Sequence, residues 1–204
     1  MFTGIIQGLA VVMMIHKNHQ LYTLQLKFPL LLLNNLKIGA SVSNNGCCLT
    51  VTKIQKDNVY FDIIQETLKL TNLSILRIGS TVNIERSLCF GDEIGGHLLS
   101  GHIITTATIH NVIHFKSQKR FFLNIDDIRI MKYIFRKGFI AIDGISLTIN
   151  TVFKNTICVD LIPETISCTN IGSRKIGEKV NIEVDYYTHI MIDNMKRILN
   201  KKFI

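Results

Sequence analysis

Gly39-Ala-Ser-Val-Ser-Asn-Asn-Gly-Cys-Cys-Leu-Thr-Val-Thr52 decides the reading of this 204-residue chain, because the chain states it twice. The second copy is Lys137-Gly-Phe-Ile-Ala-Ile-Asp-Gly-Ile-Ser-Leu-Thr-Ile-Asn150, and Gly46 and Gly144 set the offset at 98 residues. Each copy turns at a glycine preceded by Asn or Asp, then enters an alternating segment of the kind that forms a half-buried strand. Side chains alternate faces along a strand. Cys47, Leu49 and Val51 therefore share one side, and Cys48, Thr50 and Thr52 the other. In the second copy Ile145, Leu147 and Ile149 form the apolar side, with Ser146, Thr148 and Asn150 opposite. One face is core; the other meets water, a partner or a ligand.

The repetition extends outward. Thr3-Gly-Ile-Ile6 is echoed by Ser100-Gly-His-Ile103 at an offset of 97. Asp62-Ile-Ile-Gln-Glu-Thr67 returns as Asp160-Leu-Ile-Pro-Glu-Thr165, Thr71-Asn72 as Thr169-Asn170, and Val82-Asn-Ile-Glu85 as Val180-Asn-Ile-Glu183. About one position in three is identical from 39 to 87, a tandem duplication and not a solenoid. Short strands separated by turn signals in each copy predict an all-β chain of two small antiparallel barrels.

In detail, Met1 to Ile15 and Leu21 to Phe28 read as strands joined by a hairpin at Asn18-His19, with a helical turn in 29–36. Val59 to Ile64 and Thr81 to Glu85 read as further strands, with a short helix and loop over Glu66 to Leu76. A helix is expected over Asp126 to Phe135, capped by Asp126. Tyr187 to Lys202 forms a final helix with Met191, Met195, Ile198 and Lys202 on one face beside Ile192 and Leu199, a candidate for self-association.

Composition narrows the function. Apolar residues make up 47% of the chain, ample for packed cores, yet no apolar run approaches the roughly 20 residues that cross a bilayer. The N-terminus lacks a charged region followed by an apolar stretch, so no signal peptide and a cytoplasmic location are expected. Five Cys without C-x-x-C spacing argue against a disulfide framework or zinc knuckle. The net charge of +8 is scattered without aromatic interleaving, which disfavours nucleic acid. His110 and His114 lack an evident third metal ligand, and Gly91 to Gly96 lacks the G-x-G-x-x-G pattern.

Met1-Phe-Thr-Gly-Ile5, Asn45-Gly-Cys-Cys-Leu-Thr-Val51, Gly95-Gly-His-Leu-Leu-Ser-Gly-His102 and Asp143-Gly-Ile-Ser-Leu-Thr148, in this order, resemble riboflavin synthase of the alpha-chain type across essentially the whole chain. The resemblance implies two six-stranded Greek-key barrels, at 1–97 and 98–186, and a trimerising helix at 187–204. It implies a homotrimer in which the first barrel of one subunit faces the second of another. The implied reaction is dismutation of two 6,7-dimethyl-8-ribityllumazine molecules to riboflavin and 5-amino-6-ribitylaminouracil, without metal or redox cofactor. Association with lumazine synthase is left open. One departure stands out: Ser43-Asn44-Asn45-Gly46 lies where the family reads His-Asn-Gly, so Asn44 loses an imidazole.

Two identical substrates held together call for two similar half-sites, and holding them removes the entropic cost of encounter. Shared residues should then bind and differing residues catalyse. The resemblance places substrate contacts at Gly4, Ile5, Ile6, Cys48, Leu49, Thr50, Asp62, Ile63, Ile64, Gln65, Glu66 and Thr67. In the second copy it places them at Gly101, His102, Ile103, Lys137, Ser146, Leu147, Thr148, Ile162, Pro163, Glu164, Thr165, Ile166 and Ser167. Asp62, Glu66 and Thr67 could instead cap the following helix. Between copies Cys48 is exchanged for Ser146, Asn45 for Asp143, Gly39 for Lys137, Ser87 for Asp185 and Ile5 for His102. Acid-base work is accordingly expected in the second copy. One lumazine must lose a proton from its C7 methyl while the other is attacked at C7. His102, whose ordinary pKa is about 6.5, is the expected proton shuttle. Lys137, Asp143 and Asp185 are expected to position it or water, or to form structural salt bridges. Cys48 is a nucleophile or polar contact, or inert packing.

Overall fold

In the computed structural model, which describes residues 1–18 and 21–201, the alternating segments become two runs of six strands. The first run is β1 (Gly8–Lys17), β2 (Leu21–Lys27), β3 (Ser41–Asn44), β4 (Cys47–Gln55), β5 (Asn58–Ile64) and β6 (Thr81–Arg86). The second is β7 (Thr105–His114), β8 (Lys119–Ile125), β9 (Phe139–Ile142), β10 (Ile145–Val152), β11 (Thr156–Leu161) and β12 (Lys179–Val184). Each run closes into an antiparallel barrel, in the order β1-β2-β5-β4-β3-β6 and its equivalent β7-β8-β11-β10-β9-β12. Closure removes the unpaired edges of an open sheet. Bulges at Val51/Lys53 and Ile149/Thr151 recur at matching places, bending both barrels alike.

The inward faces are those expected. Val12, Leu26, Val51, Phe61 and Ile84 fill the first barrel; Ile109, Phe121, Leu123, Ile149 and Ile182 fill the second. The β3–β4 and β9–β10 hairpins turn on Asn45-Gly46 and Asp143-Gly144, all four at positive φ, the geometry of the two-residue turn that matches strand twist.

Three local expectations are corrected. β1 starts at Gly8 and not at Met1, because residues 1–7 leave their own barrel: Phe2 bridges to Leu99, and Ile6 packs on the second core. The stretch 126–135 forms a 3-10 helix at Ile128–Tyr133, and Asp127, not Asp126, caps it by accepting from the Arg129 N–H. Thr106, Thr108 and Lys179 hold the Asp126 carboxylate instead. Helix α1 (Gln65–Leu70) has Ile64 as its N-cap with no side-chain bond, so Glu66 and Thr67 do not cap it; α2 (Pro163–Cys168) repeats this. Helix α3 (Tyr186–Lys201) carries the terminal helical pattern, while His19 and Lys202 lie outside the described residues.

A buried amide clasp joins the barrels. The Asn83 N–H donates to Asn45 Oδ1 and its side-chain amide to the Asp143 carbonyl; the Asn181 N–H donates to Asp143 Oδ1 and its amide to the Asn45 carbonyl. The Asn72 and Asn170 N–H groups donate to Asn181 Oδ1 and Asn83 Oδ1 across the interface. One link breaks the symmetry. Asn45 Nδ2 donates to Asn72 Oδ1, but a carboxylate cannot return the bond, and Asn170 Oδ1 has no partner among the described residues. Asp143 instead takes Arg174, 3.0 Å away, where the first copy has Leu76. Burial pushes the Asp143 pKa up, and the guanidinium with the surrounding donors pulls it back.

Asp143→Asn should take from Arg174 its buried partner, with Glu178 still 3.6 Å away, and cost about 1–3 kcal/mol in a denaturant titration. Asp143→Asn with Arg174→Leu, which recreates the first copy's Asn45 and Leu76, should recover most of that loss.

Candidate functional site

The two repeated glycine loops exchange barrels. Glu85, buried on β6, accepts from the Thr3 N–H at 2.6 Å, the Thr3 hydroxyl at 2.8 Å and the Gly4 N–H at 3.0 Å. Glu183 on β12 holds Ser100 and Gly101 in the same way. So held, each loop reaches the other barrel: the Gly4 carbonyl accepts from the Ser146 N–H of β10, and the Gly101 carbonyl from the Cys48 N–H of β4. Ile6 packs on the second core and Ile103 on the first. Burial raises the pKa of both carboxyls while the loop N–H groups and hydroxyls lower it.

A cavity lies on each barrel, and the exchanged loop of the second copy lines the first. The first-barrel cavity, about 190 Å³, is lined by Cys48, Ile64, Glu66 and Thr67 with Gly101, His102 and Ile103 from the second copy's loop. The second-barrel cavity, about 340 Å³, is lined by Lys137, Ser146, Leu147, Thr148, Asn150, Asp160, Ile162 and Thr165. His102 therefore stands with Cys48, in the first copy's half-site. Lys137, also from the second copy, lines the second-barrel cavity apart from His102. On its other side His102 borders a space of about 290 Å³ with Ser100, Glu183, Tyr186 and His189.

The half-sites differ in charge. Asp160 receives Arg120 through both carboxylate oxygens, at 2.6 and 2.9 Å, and also Asn150. The Arg120 guanidinium holds its carboxyl below the usual range. The equivalent Asp62, which is not among the residues lining the first-barrel cavity, accepts from the Thr23 hydroxyl at 2.8 Å.

Several other expected site residues go elsewhere. Asp143 is wholly buried in the clasp between barrels and reaches neither cavity. Asp185 caps α3, accepting from the Thr188 N–H and hydroxyl. Leu49 and Ile63 turn their side chains into the first core, and Ile166 packs against the second. Thr50 is exposed on β4 beside Ser41, outside the lining of the first-barrel cavity, and Ile5 is exposed near Gly95. Gln65 borders a separate surface hollow with Lys17, Asn18 and Tyr22. Within α2, which begins at Pro163, Glu164 meets Cys168 and Ser167 bonds back to the Glu164 carbonyl. Cys47 and Cys48 both line the first-barrel cavity; burial pushes the Cys47 thiol up to about 12, and Cys48 is half-buried. Asn44 is buried with Oδ1 unpartnered; its side chain donates to the Val42 carbonyl and lies away from Cys48's face. Among the described residues no group of three His, Cys, Asp or Glu could hold a metal, and no helix is long and apolar enough to cross a membrane.

Sequence reasoning missed Glu85, Glu183, Arg120 and His97. The two Glu sit in the repeated Val-Asn-Ile-Glu, a buried carboxylate at a strand's end that was legible as an identity between copies. His97 places Nδ1 2.6 Å from Ser146 Oγ. Its signal was the Gly95-Gly96 pair before it.

The Lumazine binding domain family matches residues 3–87 and 100–185. Over 201 residues the chain is 53% identical to riboflavin synthase of Buchnera aphidicola subsp. Schizaphis graminum (strain Sg), covering 98% of this chain and 97% of that one. It is 47% identical to riboflavin synthase of Escherichia coli (strain K12), covering 98% and 93%. The fold is similar to LumP complexed with riboflavin, with a TM-score of 0.84, 31% identity and coverage of 90% and 99%. It is also similar to LumP complexed with 6,7-dimethyl-8-(1'-D-ribityl) lumazine, with a TM-score of 0.82, 30% identity and the same coverage.

Glu183→Gln should loosen the loop that carries His102 by about 1–2 kcal/mol, measured as faster amide exchange at Gly101 to Ile103. Glu85→Gln should do the same at Gly4 to Ile6 and leave the His102 loop unchanged.

Proposed function

The chain belongs to the riboflavin synthase family of duplicated lumazine-binding barrels, and on that premise we propose how its two half-sites share the work. The protein is a transferase: it moves a four-carbon unit between two 6,7-dimethyl-8-ribityllumazine molecules, giving riboflavin and 5-amino-6-ribitylaminouracil. The observation that carries our reading is the loop exchange, which sets His102 with Cys48 at the first-barrel cavity and backs Ser146, which lines the second-barrel cavity with Lys137, with the Gly4 carbonyl.

Each cavity takes one lumazine. The peptide groups beside Gly4 and Gly101 and the side chains of Thr67, Thr148 and Thr165 meet the heterocycle and its polar edge, and Ile64 and Ile162 cover its faces. The ribityl chain runs to Asp62 in one half-site and Asp160 in the other, since carboxylates and threonine hydroxyls accept and exchange polyol hydrogen bonds. His102 moves the proton at the C7 methyl, and Cys48, Ser146 or a water they hold supplies the nucleophile at C7 of the second molecule. Asp143 and Asp185 act through the scaffold.

The exposed Met191, Met195, Ile198 and Leu199 on α3 support a homotrimer, with the first barrel of one subunit opposite the second of a neighbour. The divisions 1–97, 98–186 and 187–204 and a cytoplasmic location remain part of this reading. A second reading, a non-catalytic lumazine or flavin binder, is favoured by the likeness to the LumP complexes at 30–31% identity. The enzyme relatives at 47–53% identity weigh against it.

Purified protein given only 6,7-dimethyl-8-ribityllumazine should form riboflavin fluorescence with one riboflavin per two lumazines consumed; tight binding without turnover would select the binder. His102→Gln should lower kcat by about 10²-fold; normal turnover from pH 6 to 8 would remove His102 from the mechanism. Sedimentation should give a trimer that Met191→Lys with Met195→Lys disperses.

A further inference from the structure

His97 lies in the segment between the barrels, outside the repeated motifs. Its ring is 6% exposed and stacks on Phe139, with centroids 5.1 Å apart and planes 15° from parallel. Nδ1 stands 2.6 Å from Ser146 Oγ, and Nε2 is buried without a partner. The backbone around it is built for close approach. The His97 N–H donates to the Thr3 carbonyl at 3.1 Å. A Cβ on Gly96 would come within 2.2 Å of the Thr3 carbonyl oxygen and 2.7 Å of Ser146 Cβ. From the other side, a Cβ on Gly4 would come within 2.5 Å of Ser146 Cβ. Two glycines and one imidazole thus enclose Ser146 at the wall of the second-barrel cavity. Cys48, its counterpart, has no such side-chain partner among the described residues.

We propose that His97 is a positioning residue for the known reaction: it locks the Ser146 hydroxyl in one orientation toward the lumazine bound in the second half-site. The proposal rests on the reading of Ser146 as a substrate contact. Burial lowers the pKa of His97, against the pull of Asp185, and so favours the neutral ring. The bond to Nδ1 fixes the position of Oγ: with Nδ1 unprotonated the hydroxyl donates to it and turns lone pairs to the ligand, and with Nδ1 protonated the hydroxyl accepts and keeps its own hydrogen for the ligand. The half-sites then differ in rigidity as well as in atom type: a pinned oxygen in one and a thiol without a side-chain partner in the other.

The test is steady-state riboflavin formation by the full-length protein, with lumazine binding followed by fluorescence. His97→Phe keeps the stack on Phe139 and removes the hydrogen bond. It should lower kcat about tenfold with little change in KM, as one lost neutral hydrogen bond implies. Ser146→Ala should show a similar loss, and the double variant no more than the larger single one. His97→Asn, whose amide lies near the Nδ1 position, should restore most of the rate. If His97→Phe does not fold, His97→Gln, which has no polar atom at Nδ1, takes its place in the cycle. Full kcat in His97→Phe beside an impaired Ser146→Ala would overturn the positioning role and leave Ser146 in the site. Full kcat and KM in Ser146→Ala would remove Ser146 from the site and the proposal with it. Losses that multiply in the double variant would show that His97 acts through the fold alone.

Discussion

The buried amides between the barrels are the constraint on which the rest of the structure depends. Asn45, Asn72, Asn83, Asn170, Asn181 and Asp143 are nearly or wholly withdrawn from water, where each unmatched donor or acceptor costs about 1–3 kcal/mol. Most of their partners lie on the opposite barrel, so any other docking register would leave several unmatched at once. Gly46 and Gly144 reinforce the choice: a Cβ on either would come within 2.8 Å of the other's backbone nitrogen. In this register the Gly4 carbonyl meets the Ser146 N–H and the Gly101 carbonyl meets the Cys48 N–H.

Much of this was legible because two simple periodicities carry it. Alternation of period two put Leu49 and Val51 inside, and recurrence at 98 residues announced two like barrels. Treating Cys48 to Thr50 and Asp62 to Thr67 as unbroken runs of contacts set that alternation aside, and Leu49 and Ile63 accordingly turned up in the core. Asp143 was hidden differently. An acid exchanged for Asn looks chemical, but Leu76 is exchanged for Arg174 in the same comparison, and the two changes make one ion pair. Which barrel a loop visits was not legible, since spacing along the chain does not say where a segment crosses in space. Spacing alone did not show that His102 would stand beside Cys48.

The half-sites keep a common plan and differ in how firmly each part is held. In the second, Arg120 and Asn150 hold Asp160, and the His97 ring backs Ser146. On the first barrel, Asp62 accepts the Thr23 hydroxyl, and His102 is exposed beside the cavity.

The exchanged loops have a consequence for how such a chain can change. Contacts from Gly4 to Ser146 and from Gly101 to Cys48 are related as in an isologous pair, where each partner gives what it receives. Two separate, identical barrels meeting in this way would be bound by symmetry: any substitution at one cavity would appear at the other. Joining them in one polypeptide keeps the geometry and lifts that obligation. Ile5 and His102, Cys48 and Ser146, Asn45 and Asp143 are then free to become different residues while the backbone around them stays the same.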